Sequence, residues 1–421
     1  MNVKLKARNL TGTITPPSSK SFAQRYILLA MCREGSTKIL NVSGSEDEMV
    51  AMGIARDSNF TVNYRDREIS IYGKFMCPKK IYMGESATSF RLSTGLISGM
   101  RCKTVYRLAE SLSVRPNRPL ESALTAAGVK INHISKDEIE IDSSGIQSTD
   151  VKINGELSSQ FVSSLMLLFA GGFLKGNIII EGKSTSSGYI DITEKCLLDF
   201  GFTVKRENQS ISVSGSPYKG HIELRVESDF SSAAYFIVLG MLGSKDGIRL
   251  SGLSVNSLQP DSAILRLLKP YLKTFQTDDK GLEIECRQSN IDFIELDADK
   301  NPDLAPITSV IGIFSEKGIK IRNISRLSFK ESDRASSIIQ LAENFGASII
   351  KDGTTLYIRR GKEIKHPYLL DFKDHRMIMA AAVAIVISGS DTTLCNTENV
   401  KKSYAEFFND LEKLGVYIEP S

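Results

Sequence analysis

A chain of 421 residues, 41% hydrophobic, is too long for one ordinary core, so two domains are expected. A net charge of +4, with 24% charged residues and no basic block, argues against a nucleic-acid role but leaves room for a local cluster that holds a small anion. Six scattered cysteines without a CxxC pair, and four histidines, argue against a zinc site or a disulfide framework and suit a reducing cytosol.

The first stretch, "MNVKLKARNLTG", alternates apolar and basic residues as an edge strand would. It has no apolar core of signal-peptide length, so a cytoplasmic chain is expected. "PPSSKSFAQRYILLAM" then opens a helix. Pro16 and Pro17 stiffen the approach, Lys20 and Ser21 stand at the start, and Arg25 lies one turn on. The same device returns about every seventy residues, in "GESATSFRLSTGLI", "GELSSQFVSSLMLLFA", "ESDFSSAAYFIVLGML", "NPDLAPITSVIGIF" and "FKDHRMIMAAAVAIVI". After several of these a glycine turn leads to a β-run such as "GNIIIEG" or "KGIKIRN", and second helices close with runs such as "LLDFGFTVKR" or "LAENFGASII". Alternating runs such as "DEIEIDS" and "TTLYIRR" follow as strands. Six such mixed units make two α/β domains of three units each. The openers are apolar almost all round and should be buried. The longest apolar run, "MIMAAAVAIVIS", is too short to span a bilayer and reads as one of these buried helices.

The polar residues at the openers are the candidates for chemistry. Singly each has a plain reading: a capped helix at "SSQF", a Pro-stiffened surface turn at "RPNRP", a cap or ion pair at "DHR", an N-cap at "NPD". Capping does not explain Lys20, Arg25, Arg91 or Arg376, because a cation near a helix N-terminus opposes the dipole, and a partner anion would resolve the mismatch. "FKESDR" at 329–334 adds Lys330, Glu331, Asp333 and Arg334 where a β-run hands over to a helix. Many fixed cations, the carboxylates of Glu331 and Asp303 and no metal set suit a small substrate with phosphate and carboxylate groups, handled by acid–base chemistry.

The motifs "KSFAQR", "SSQF", "YIDIT", "NPD", "FKESDR" and "DHRM", in this order and spacing from residue 11 to about 415, resemble the 5-enolpyruvylshikimate-3-phosphate synthase family. The resemblance implies two globular domains, each of three βαβαββ repeats, in the inside-out α/β barrel of the enolpyruvyl transferases. One domain would be residues 19–228 and the other 1–18 with 229–421, joined by a two-strand hinge that closes on substrate. The implied reaction, without metal or organic cofactor, transfers the enolpyruvyl group of phosphoenolpyruvate to the 5-hydroxyl of shikimate 3-phosphate and releases phosphate. Both substrates are small molecules, and no nucleic-acid or membrane partner is implied; a monomer is expected. Carried over by position, Lys20, Ser21, Arg25, Ser158, Ser159, Gln160, Ser186, Tyr189, Asp303, Arg326 and Lys330 would hold shikimate 3-phosphate. Lys20, Ala87, Arg118, Gln160, Arg334, Arg376 and Lys402 would hold phosphoenolpyruvate. Asp303 would be the base facing the 5-hydroxyl, Glu331 the proton relay to the methylene carbon and Lys20 a further catalytic group. Asp333 would orient its neighbours.

The chain departs from the family pattern at four places. Ser19 replaces a usual glycine, Glu85 a usual asparagine and Ala87 a usual glycine, and Arg326 stands where some members carry asparagine. Glu85 is expected to pair with a nearby cation. The methyl of Ala87 is expected to crowd glyphosate, which is longer than the phosphoenolpyruvate it displaces. Two rivals stand beside this reading. One is the UDP-N-acetylglucosamine enolpyruvyl transferase, which needs a loop cysteine that no cysteine here matches. The other is a non-catalytic anion-binding relative, which would be expected to lose Asp303 or Glu331 first.

Overall fold

The polar-headed apolar runs form the helices Lys20–Leu29, Ala87–Gly99, Ser159–Gly172, Phe230–Gly243, Ala305–Phe314 and His375–Ser388 in a computed structural model that describes residues 1–147, 150–155, 158–182, 188–276, 281–329 and 332–421. Their apolar residues do not keep to one stripe, so nearly every face is buried. Three of them start on a side-chain cap. Ser158 accepts from the Gln160 amide (3.2 Å), Asp229 from Ser232 (2.7 Å) and Asp374 from Arg376 (2.8 Å).

Each helix belongs to a repeat with a four-stranded sheet. In one, Lys80–Tyr82 runs parallel to Lys103–Arg107, which pairs antiparallel with Glu138–Asp142, and Lys130–His133 closes the edge. Val151–Asn154, Ile178–Glu181, Ser210–Gly215 and Phe202–Glu207 repeat that order. So do Ile294–Asp297, Ile319–Arg322, Thr355–Arg359 and Ser348–Asp352. Burial alternates along these strands, because one face packs on the helices and the other meets water.

The chain divides into two compact units, Ser18–Val226 and Met1–Pro17 with Glu227–Ser421, each with its own apolar core. The second unit is discontinuous because the first residues complete two of its sheets. Thr11–Ile14 pairs with Gly247–Ser254. Val3–Ala7 lies between Thr393–Leu394 and Val416–Pro420, antiparallel to both. This segment is therefore an interior strand rather than the edge strand its alternation suggests. Val3 and Leu5 are buried, while Lys4 turns outward to Asp391 (3.0 Å). A basic residue on alternate positions marks a wet face, and says nothing of whether the ladder has two neighbours.

The cysteine pattern also needs correction. Cys77 and Cys102 form a disulfide with Cα atoms 5.5 Å apart. Twenty-five residues separate them, and only the return of the chain to the start of Lys103–Arg107 brings them together. Among the described residues no helix is long and apolar enough to cross a membrane.

Glycines set the approach of Ala87–Gly99 to Ser159–Gly172. A Cβ on Gly95 would stand 1.9 Å from the Ser164 carbonyl oxygen, and one on Gly99 2.2 Å from that of Leu168. The opposing Gly171 and Gly172 are as tight, at 2.5 Å from the Leu96 oxygen and 2.4 Å from the Gly99 oxygen. Backbone cannot yield as a side-chain tip can. Gly95→Ala is expected to lose about 1–3 kcal/mol of stability, read as a lower urea midpoint; an unchanged midpoint would show that the helices slide apart freely.

Candidate active site

In Ser18–Val226 the polar starts of three helices carry the candidate side chains. Lys20 opens its helix, and its ammonium lies 2.8 Å from Asp47 Oδ2. Asp47 is in the first turn of Glu46–Asp57, a helix closed by a capping box between Ser45 and Glu48. Arg25, one turn beyond Ser21, is fully buried. Its guanidinium donates to Thr193 Oγ1 (2.7 Å), the Ser21 carbonyl (2.7 Å) and the Tyr189 carbonyl (3.4 Å). Burial pulls its pKa down to about 10, against the opposing influence of Cys196 and Tyr189. Ser158 and Ser159 form the start of Ser159–Gly172, and Tyr189 lies in the first turn of Gly188–Asp199.

Gln160 is held from two sides. Its amide nitrogen donates to Thr88 Oγ1 (2.9 Å), and its oxygen accepts from Arg91 Nη1 (2.7 Å). Arg91 also donates to Asn117 Oδ1 (2.9 Å) and the Pro116 carbonyl (3.0 Å), and its guanidinium lies 4.9 Å from the centre of the Phe161 ring. The glycine contacts described above bring these helices close enough for that bridge. Arg118 is exposed at the first position of Arg118–Ala126, just after Asn117. Ala87 opens its helix and is buried, while Glu85 before it is exposed.

In Met1–Pro17 with Glu227–Ser421 the centre is an ion-pair chain. Asp303 accepts from Arg334 Nη1 (2.6 Å) and Arg376 Nη2 (3.1 Å), and Arg334 Nε donates to Asp374 (2.7 Å). Asp374 in turn caps the helix that begins at His375. The side chains of Arg334 and Asp374 are each 1% exposed and that of Asp303 is 16%, so Asp303 is the reachable end of the chain. Burial, the largest influence on Arg376, lowers its pKa, but Asp303 together with Tyr235, Asp229 and Asp261 outweighs it and holds the group well above its ordinary value. Lys402 is buried at the end of the turn Thr397–Lys402, and Arg326 donates to the Asp299 carbonyl (3.0 Å). Asp333 caps Arg334–Asn344 through the Ser336 amide (3.3 Å) and also accepts from Ser328 and Ser336 hydroxyls. Ser186, Lys330 and Glu331 lie outside the described residues.

The mismatch between cations and helix dipoles is thus met within the protein itself: Asp47 for Lys20, neutral oxygens for Arg25 and Arg91, Asp303 for Arg376. Sequence reasoning singled out the cations and Gln160 and missed their partners, among them Asp47, Thr88, Asn117 and Thr193, as well as Asp261. Asp47 sits in "SEDE", which reads as an acidic first turn, and Asp261 in "QPD", which reads as a cap; neither signal points to a distant lysine or carboxylate. Among the described residues no group of three or more His, Cys, Asp or Glu is placed to hold a metal ion.

The profile of the EPSP synthase family, 3-phosphoshikimate 1-carboxyvinyltransferase, matches residues 5–411. A 3-phosphoshikimate 1-carboxyvinyltransferase of Picrophilus torridus is 41% identical over 99% of this chain and 100% of its own length. One of Thermoplasma volcanium is 40% identical over 98% of both chains. An EPSP synthase structure from Acinetobacter baumannii superimposes with a TM-score of 0.80 over 100% of both chains at 22% identity, a likeness of fold. The repeats, the arginine-bound carboxylate and these full-length matches lead to one conclusion: the chain belongs to the EPSP synthase family of 3-phosphoshikimate 1-carboxyvinyltransferases.

Proposed function

We propose that the chain transfers the enolpyruvyl group of phosphoenolpyruvate to the 5-hydroxyl of shikimate 3-phosphate and releases phosphate, a step of aromatic amino acid biosynthesis. The observation that carries this reading is the full-length match to relatives of that name, with identity near 40%. The reaction adds the 5-oxygen to C2 of phosphoenolpyruvate while a proton reaches its methylene carbon. The C2–O bond to phosphate then breaks as a proton leaves the methyl group. Such chemistry asks for a base at the hydroxyl, a carboxylate that carries a proton to and from carbon, and cations at phosphate and carboxylate groups.

Asp303, reachable and oriented by two guanidinium groups, suits the base. Glu331 takes the relay role by position in "KESDR". Arg334, Arg376, Arg118, Lys402 and Ala87 are assigned to phosphoenolpyruvate, with Lys20 and Gln160 serving both substrates. Ser21, Arg25, Ser158, Ser159, Ser186, Tyr189, Arg326 and Lys330 are assigned to shikimate 3-phosphate. Buried Arg25 acts there by fixing the Ser21 and Tyr189 backbones as much as by its charge. We place the enzyme in the cytoplasm as a monomer. The experiment is phosphate release from the two substrates together. No release, or release only with a UDP-amino sugar in place of shikimate 3-phosphate, would sink the assignment.

Ala87 bears on inhibition. Its methyl is buried at the helix start, and by its assignment to phosphoenolpyruvate we infer that it leaves less room for a longer ligand. Overpacking of about 1–3 kcal/mol makes Ala87→Gly roughly fivefold or more sensitive to glyphosate, measured against the KM for phosphoenolpyruvate. Equal ratios in the two proteins would remove Ala87 from the account.

A further inference from the structure

We propose that Asp261 is a positioning residue for Asp303: through Asn301 it holds the turn that carries Asp303, and its negative charge makes Asp303 a stronger base. The proposal rests on the reading of Asp303 as the base.

Asp261 lies in the short turn Pro260–Ser262 and is 1% exposed. Ser231, at the start of Phe230–Gly243, donates its hydroxyl to one carboxylate oxygen. Asn301 donates to the other (3.4 Å) and to the Pro260 carbonyl (2.6 Å). Asn301 stands two residues before Asp303, so this latch fixes the backbone from which Asp303 reaches Arg334 and Arg376. An amide at 261 could satisfy the same two partners without burying a charge, so the hydrogen bonds alone do not account for an acid here.

Among the described residues, Asp303, Arg376 and Asp229 act on the charge of Asp261, Arg334 and Arg376 bind Asp303, Asp374 binds Arg334, and the Tyr235 phenol acts on Arg376. Burial, then the charge of Asp303, push Asp261 up to about 6, against the pull of Arg376 and the Ser231 hydroxyl. Asp261 therefore gains its charge as pH rises through about 6. When ionised it offsets Arg376 and raises the affinity of Asp303 for the proton of the 5-hydroxyl. When neutral it leaves Asp303 between two guanidinium groups and weaker as a base.

The test is kcat against pH from 5 to 8.5, with both substrates saturating, in the wild type, Asp261→Asn and Ser231→Ala. The wild type should lose activity as pH falls through about 6. Asp261→Asn resembles the neutral acid at every pH. It should lack that limb and stay about tenfold slower at pH 8, with the KM for shikimate 3-phosphate within about twofold. Ser231→Ala removes a bond that favours the ionised form, so its limb should move to higher pH. A purely structural latch would lower the plateau and leave the limb in place. Limbs that coincide in all three proteins would overturn the proposal, and if Asp261→Asn does not fold, Ser231→Ala decides alone. Asp303→Asn separates the two readings: near-normal turnover there would remove the base assignment, and the proposal with it. A dead Asp303→Asn beside an unmoved limb would overturn the proposal only.

Discussion

Asp303→Ala should lose most of its turnover while still binding shikimate 3-phosphate. A general base contributes about two to four orders of magnitude in rate, and Asp303 is both reachable and oriented by two arginines. The phosphate of shikimate 3-phosphate is assigned to other residues, so its binding should survive. The same substitution frees Arg334 and Arg376 from their shared anion. Phosphoenolpyruvate, assigned to those two groups, should then bind as well as before or better. The expected signature is a collapse of kcat with an unchanged or lower KM for phosphoenolpyruvate. Turnover within about tenfold of the wild type would end the base assignment.

Arg334→Ala should instead damage the fold. Arg334 is buried between Asp303 and Asp374, with one nitrogen committed to each. Deleting it leaves two carboxylates, one of them 1% exposed, without their shared cation. Asp303 keeps Arg376 (3.1 Å), so the cost falls on buried Asp374, and breaking a buried pair from one side costs about 3–5 kcal/mol. Asp374 also caps His375–Ser388, the apolar centre of its unit, so the disturbance reaches a helix start. Urea unfolding should show a large drop in midpoint for Arg334→Ala and a smaller one for Arg334→Lys, which keeps the charge and loses the planar fork. A change below about 1 kcal/mol would show that water reaches these carboxylates when the arginine is gone.

What the sequence determined by itself is local or repeated. The six openers were legible because each is a polar cap followed by an unbroken apolar run, and the physics that makes such a run a buried helix acts within a few turns. Glycine after the helix and alternation in the strands act over the same short range, so the repeat emerged with its order. The site cations were legible for a related reason: a lysine or arginine at a helix start is locally unfavourable, and its presence demands a partner. The identity of that partner was not local. Lys20 meets Asp47 27 residues on, Arg91 meets Gln160 across 69, and Asn301 meets Asp261 across 40. Those pairings depend on how closely two backbones approach, which glycines such as Gly95 and Gly99 permit but do not announce. The interior place of Val3–Ala7 and the Cys77–Cys102 bond are of the same kind. Strand alternation reports which face is wet, and cysteine spacing reports only distance along the chain. The neighbours across a ladder or a disulfide are chosen when the chain ends and loops are packed against a core, and that packing is decided by the tertiary structure alone.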